Sequence, residues 1–528
     1  MKNIKKYFIL FFTSVFFVSC DDAIEIIQDG ELGNDATFET VGDLNTFLQG
    51  SVYTSLGATN EILFTAEFTD EVGIGPNNGG QALQLHRFNF NPADGYASGM
   101  WIGHYTVINR VNRLLFAAET ITPDPEATVS IDVDGDGNLD EISEEVYYDT
   151  ILAQARAIRA YAYFQLLSYY STDLSDDGAL GVMLFEDVPE ITRRLPRSTN
   201  GEVFELIERD LLFAENNLLE ITAPNIYKFV TPSLINSIRA RMYLYRKNYP
   251  LAKQYANDVI SNSGLVLTPA TPYAPANFYT STTNNPYRRI WADLAQGEVI
   301  FALSRPIAGA WGNIAGGFFF NNTSATGGAF LDMGRNLYNE LVSVPGDIRA
   351  LAFVDPTSLV DPNYLTNPAY NTSDVLVIDK YPGKPSQQSL RNDIKIFRLS
   401  EMYFILAECA VNDGQLDVAA GYIKNIRDAR NRLGAQPLPT YANATAAWAD
   451  ILLERRKELC FEGHRYIDIK RLGVLANASI DRNVTDDLIL TLPLTIPNTD
   501  YRFTFPIPQD EIAGNPTIRT QQNPGYAN

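Results

Sequence analysis

The chain has 528 residues, 45% of them hydrophobic and 12% aromatic, and carries 63 acidic against 41 basic side chains for a net charge of −22. A surface that acidic argues against nucleic acid or anionic lipid as the main partner. The apolar content is ample for a large core, and no long tract is of low complexity.

Lys2, Lys5 and Lys6 precede an apolar run from Tyr7 to Val18. That run is too short to cross a bilayer as a helix, which needs about 20 residues, and it reads as a secretory signal. It closes on Phe17-Val18-Ser19-Cys20, and a cysteine directly after small residues resembles the signal of a bacterial lipoprotein. The resemblance implies that residues 1–19 are removed and that Cys20 becomes an acylated N-terminus, with lipid as the membrane attachment. Removal deletes three lysines and no acid, taking the net charge from −22 to −25. Cys409 and Cys460 each fall in an apolar helical pattern, so buried free thiols are expected, a disulfide between them being the alternative.

Helical patterns follow at 41–56 and 99–120. Next, Asp132, Asp134, Asp136, Gly137 and Asp140, with Asn138 between the last two, match positions one, three, five, six and nine of an EF-hand loop, and Asn138 is a further candidate ligand. Position twelve is Ser143 where a bidentate Glu belongs, so Asp140, Glu141 or Glu144 has to complete the shell. A structural calcium ion of modest affinity is the expectation; an acidic, solvated turn is the alternative.

Further helices are expected at 145–170 and 201–219, then a hairpin through Ala240, Tyr243 and Leu244 and through Ala252, Ala256 and Val259, with its turn at Lys247–Pro250. From about 261 to 393 the character changes to Gly, Asn, Pro, Thr and aromatic residues, with strand-like runs at Val299–Leu303 and at 375–378. Long irregular segments on a rigid scaffold are where binding surfaces usually sit. A second hairpin runs from Leu399 to Ile426, turning at Asn412-Asp413-Gly414. Small residues sit twelve apart in both hairpins, at Ala240/Ala252 and Ala407/Ala419, where the helices of a tetratricopeptide-type unit approach closely. The fold expected is mainly α: about four helical hairpins in a tetratricopeptide-like scaffold, with a loop-rich, mixed ligand-binding region. Its parts are the signal at 1–19, an N-terminal region at 20–260 and a C-terminal region at 261–528, the last two packed as one unit.

Ten of the eighteen residues from Glu454 to Arg471 are charged, six of them basic, with Leu459, Phe461, Tyr466, Ile467 and Ile469 threaded among them. Such a segment is half-buried and charge-paired, because a desolvated ion is tolerable only with partners. Ion pairs of Arg455, Arg456, Glu458, Glu462, Arg465 and Asp468 are expected to fasten the final helix and the Phe505–Tyr526 tail to the scaffold. The stretch 488–507 alternates and is proline-rich, which suits a strand or an extended tail.

These residues resemble the SusD/RagB family of surface glycan-binding lipoproteins across nearly the whole chain. Trp101-Ile102-Gly103-His104-Tyr105 with Asn109, Asn112 and Leu114 is similar to the family's first long helix, and Gln154–Tyr161 to its next. Tyr227–Thr231 with Ala240–Leu244, and Ile396–Glu401 with Ala407-Glu408 and Asn425–Arg427, are similar to its central and later hairpins. Most specific is Glu454-Arg455-Arg456 through Gly463 and Arg465, then Asp468 and Arg471, Phe505–Pro508, Asn515-Pro516 and Gln522–Tyr526. The resemblance implies an outer-membrane, cell-surface lipoprotein that binds oligo- or polysaccharide and delivers it to a SusC-like TonB-dependent transporter. A peptide-binding member of the family and a helical glycoside hydrolase are the alternatives.

Catalysis finds little support. His86, His104 and His464 are the only histidines, without a zinc-protease motif, nucleophile elbow or phosphate-cradling loop, and among 63 acids some carboxylate pair at glycosidase spacing arises by chance. The chain reads as a non-enzyme needing no cofactor. Neutral sugars are held by aromatic faces and by amide or guanidinium groups on their hydroxyls. The loops at 74–91 and 277–322 offer both, and the candidate contacts are Asn78, Arg87, Phe278, Tyr279, Trp311, Phe318 and Phe320. Trp311 leads them, standing among Gly and Ala after a strand-like run, whereas Trp101 and Trp291 sit in helical patterns and are assigned to the core.

Overall fold

The computed structural model describes residues 38–527 except 81, 191, 306–328, 330, 386–390 and 488–492. The signal, Cys20, Trp311, Phe318 and Phe320 lie outside the described residues. The chain is mainly helical, 49% helix with few short strands. Helix α1 (Val41–Phe47) opens on a capping box: the Thr40 hydroxyl accepts from the Asp43 amide, and the Asp43 carboxylate accepts from the Thr40 amide. Helix α2 (Thr59–Phe68) is buried on nearly every side, which explains why its pattern has no helical period to read. Helix α3 (Gly95–Ala118) is capped by Asp94, α4 (Glu144–Tyr170) by Ser143 and α5 (Asn200–Asn217) by a Thr199–Glu202 capping box.

Thr231 and Pro232 start α6 (Pro232–Tyr245), and Asn248 starts α7 (Tyr249–Asn262). These two form the first expected hairpin; α8 (Leu399–Asn412) and α9 (Leu416–Arg430) form the second. Ala240, Ala252, Ala407 and Ala419 are fully buried, where backbones come close in both. Helix α7 packs on α8 and joins the hairpins, while α4 packs between α3 and α5. The arrangement is compatible with the tetratricopeptide-like scaffold expected. Trp101 and Trp291 are buried as assigned, and Cys409 and Cys460 are buried free thiols, pushed up to about 12 chiefly by burial.

Three antiparallel two-stranded ladders are set against the helices: β1 (Val72–Ile74) with β5 (Leu331–Met333), β2 (Thr128–Ile131) with β3 (Asp140–Ser143), and β4 (Val299–Leu303) with β6 (Ile394–Arg398). Strand β4 occupies the run expected. The run at 375–378 does not form a strand; it makes isolated bridges, Val375 to Leu359 and Ile378 to Val354.

The charged segment spans α10 (Ala444–Leu459) and α11 (Arg465–Leu472), and its ions are paired as expected. Glu458 accepts from Arg398, Arg430 and Arg349 at 2.7–3.2 Å with its side chain wholly buried, and these guanidiniums hold its carboxyl well below the usual carboxylate range against the opposing effect of burial. Glu462 pairs with Arg398 and Lys380, Arg455 with Asp468 and Glu408, and Arg465 and Arg456 with Asp70. The expected role in fastening the tail needs correction. These ions hold α10 and α11 to α8, α9, β6 and Asp70, while the tail is held by other groups. Phe505 donates its amide to Tyr169 O and stacks edge-on with Phe64, Phe90, Tyr170 and Tyr466. Asn523 bonds Tyr170 O and Phe505 O, and Arg197 bonds Gln521 O and Asn523. From the charged segment itself, the Tyr466 hydroxyl reaches Arg502 O.

Candidate ligand-binding site

Two of the ladders bring the predicted loops to defined places. Strand β1 leads into the loop of Asn77 and Asn78, and β5 follows the segment that contains Trp311; Val72, Gly73 and Ile74 pair with Met333, Asp332 and Leu331. Beyond the ladder the Asn77 amide donates to Ala329 O at 3.1 Å. Asn77, in the loop at 74–91, is thereby fixed to Ala329, which follows the loop at 277–322 just before β5. The entry to the same segment is also held: the Arg305 amide donates to Asp393, its guanidinium reaches Leu56 O, and Lys384 donates to Arg305 O.

Asn78 is half-buried, and its side-chain oxygen accepts from the Gly80 amide. Arg87 is half-buried after a short helix, Leu83–His86. His86 is buried, and burial together with the nearby Arg482 pushes its protonation well below the ordinary range. Phe278 and Tyr279 stack edge-on at 4.9 Å, with the Arg288 guanidinium 5.5 Å from the Tyr279 ring. Phe278 is only 1% exposed and belongs to the core, whereas Tyr279 is 39% exposed and offers a ring to solvent.

Asp132, Asp134 and Asp136 place one carboxylate oxygen each within 4.8 Å of one another, in the loop joining β2 to β3. Gly135 and Gly137 adopt φ of +79° and +88°, so the backbone can fold tightly around them. Asp132 accepts from the Gly135 and Gly137 amides, and Asp140 accepts from the Val133 amide. Bonds from Asn138 hold the Asp136 carboxyl below its usual value. Ser143 caps α4, Glu144 accepts from the Asp124 amide, and Glu141 accepts from Thr128 and Ser130. Asp140, Glu141 and Glu144 each already accept hydrogen bonds from neighbouring groups.

Sequence reasoning missed a cleft of about 820 Å³ along α3. One face of that helix presents Ser98, Ile102, Tyr105, Thr106, Asn109 and Arg113 to it, at helical spacing. Trp101 and Tyr105 pack at 5.0 Å, and Tyr105 meets Phe185 at 5.9 Å. The facing loop is pinned: Tyr105 donates to Met183 O, Asn112 to Phe185 O and Asp187 O, and Tyr163 to Phe185 O. Trp101 donates its indole N–H to Glu511, which brings in the tail. Tyr105 and Asn112 carried the signal on α3, but their partners Met183, Phe185 and Asp187 lie more than 70 residues on, in a loop without a period to read.

Comparison with known proteins fits this architecture. Residues 355–526 match the model of the SusD family. A SusD-like protein of Bacteroides ovatus is 27% identical over 288 residues, which cover 50% of this chain and 45% of the relative. A SusD superfamily protein of Bacteroides thetaiotaomicron superposes with a TM-score of 0.71 at 24% identity, over 92% of this chain and all of that one. A SusD-like carbohydrate binding protein of Bacteroides vulgatus superposes with a TM-score of 0.65 at 18% identity, over 91% of this chain and 97% of that one. The chain shares the fold of these solved structures. Together with the family match and the curated relative, this shared fold supports a SusD/RagB family protein.

Proposed function

We propose that the protein binds an oligosaccharide noncovalently at the cell surface and delivers it to a SusC-like TonB-dependent transporter. The observation that carries this reading is the bond from Asn77, in one loop rich in amide groups, to Ala329, which follows the aromatic-rich loop, beside a fixed ladder. Amides beside aromatic rings are the chemistry that neutral sugars need. The tether is acyl chains on Cys20, supported by the lipoprotein-like signal; among the described residues no helix is long and apolar enough to cross a membrane. Binding occurs without turnover. Titration calorimetry with a glycan chosen from an array tests it: Tyr279→Ala and Trp311→Ala should each weaken binding about tenfold without lowering the melting temperature. Unchanged affinity in both, or product after prolonged incubation, would refute the reading.

A structural calcium ion at Asp132, Asp134 and Asp136, with Asn138 and Asp140, belongs to the same proposal. It is supported by the convergence of three carboxylates around a glycine turn. Calcium titration should release heat in the wild type and not in Asp134→Ala; no heat in the wild type removes the ion.

A further inference from the structure

The cleft along α3 differs in charge from the rest of the molecule. Arg110 and Arg113 enter it from α3, and Arg193 and Arg194 from the facing loop, in a chain whose net charge is −22. Its floor is apolar and aromatic, and Ile102 stands 59% exposed within it. A guanidinium has five N–H donors. Arg110 donates one to Ser51 O and Arg113 one to Asn109, so these bonds leave much of their capacity unused. Arg193 meets Asp187, Glu190 also lines the cleft from the facing loop, and the carboxylates of Asp510 and Glu511 stand on its tail side, against four arginines.

The described chain begins beside this cleft. Phe38 packs edge-on against Phe47 at 5.1 Å, and Phe47 is part of the cleft wall. The residues before Phe38 have the complementary composition. Positions 21–37 hold six acids, Asp21, Asp22, Glu25, Asp29, Glu31 and Asp35, and no base; Ile24, Ile26, Ile27 and Leu32 lie between them. Seventeen residues can reach up to roughly 58 Å from Phe38, which leaves the whole cleft within range.

We propose that segment 21–37 of the chain docks in this cleft. Its isoleucines and Leu32 cover the Ile102, Tyr105 and Phe185 floor, and its carboxylates meet the arginines of α3 and of the facing loop. Charge-assisted bonds from guanidinium to carboxylate supply direction, and the apolar contact supplies most of the affinity. The carboxylates of Asp510 and Glu511 repel the segment, which keeps its acidic side towards the arginines. The occupant is the chain itself, not a second molecule.

Photocrosslinking tests this on the full chain with p-benzoylphenylalanine at position 27, followed by digestion and mass spectrometry. The expected result is an intramolecular crosslink to residues 98–113 or 183–194, with a yield several-fold lower in 0.5 M salt. Arg113→Glu with Arg193→Glu should lower it similarly. Should that pair fail to fold, Asp29→Lys with Glu31→Lys alters the segment and leaves the cleft intact, and the same loss is expected. Crosslinks scattered over the surface, crosslinks between molecules, or a yield indifferent to both salt and the segment's charges would overturn the proposal.

Discussion

Replacing Glu458 with Gln removes one charge and almost no volume, so it isolates the electrostatics of the buried cluster. The carboxylate accepts from Arg398 Nη1 at 2.7 Å, from Arg430 Nη2 at 2.9 Å and from Arg349 Nη1 at 3.2 Å. In Gln, an NH2 group points donors at guanidinium donors. Breaking a buried pair costs about 3–5 kcal/mol. The lower end applies here, because each guanidinium keeps another anion: Arg430 keeps Glu298, Arg398 keeps Glu298 and Glu462, and Arg349 keeps Asp347 and Glu454. At about 2.1 cal/mol/K per residue, a chain of about 500 residues unfolds with an entropy near 1 kcal/mol/K. A loss of about 3 kcal/mol therefore lowers Tm by about 3 °C, read by differential scanning calorimetry at pH 7. A fall below 1 °C, or a rise, would refute the claim that this cluster depends on the Glu458 charge.

Burial raises the Glu67 and Glu71 carboxyls to about 8 and the Asp486 carboxyl to about 7. A raised carboxyl binds its proton more tightly in the folded state, so its contribution is complete below the unfolded value near 4 and is lost as pH rises through the folded one. Stability should fall from about pH 5 to pH 8, by up to about 1.4 kcal/mol per pH unit for each group, and Glu71→Gln should flatten that slope in melts across the range. Arg456→Ala leaves Asp70 its fork to Arg465, at 2.8 Å for both bonds. It should cost only about 1–3 kcal/mol, and Tm should fall more clearly than glycan affinity. Arg197 donates to Tyr170 O, Leu180 O, Gly181 O, Gln521 O and Asn523. Arg197→Ala should free the tail to limited proteolysis after Arg519, and a tail as resistant as the wild type's would show that Phe505, Asn523 and the Trp101–Glu511 bond hold it without Arg197.

The hairpins were legible because amphipathic helices state their period: Ala240/Ala252 and Ala407/Ala419 fall where the backbones meet. Strand β4 was legible as a short apolar run. Helix α2 was not, since a helix buried all round has no polar face to set a period. Ladder β1–β5 was hidden by its length, three residues a side separated by more than 250 in sequence. The charge pairing from Glu454 to Arg471 could be anticipated from composition, but its partners Asp70, Glu298, Arg398 and Arg430 are set by tertiary packing alone. The same limit explains the cleft, whose walls come from α1, α3, the 183–194 loop and the tail. Phe278 shows the converse: composition marks an aromatic in a loop region, and only packing decides that it faces inward.

The buried ions bear on binding through where they attach. Glu298, which precedes β4, is held by Arg398 at the end of β6 and by Arg430 at the end of α9. Asp70, two residues before β1, is held by Arg465 and Arg456 from α11 and α10. Lys395 in β6 pairs with Asp293, which also accepts from the Asn392 side chain and the Asp393 amide. Strand β1 leads into the loop at 74–91, β4 lies within the one at 277–322 and leads into the segment that contains Trp311, and the Asp393 carboxylate accepts from the Arg305 amide. The charged helices therefore clamp the roots of the loops. Fixing both ends of a loop lowers the entropy that ligand binding must remove, and affinity rises as that cost falls.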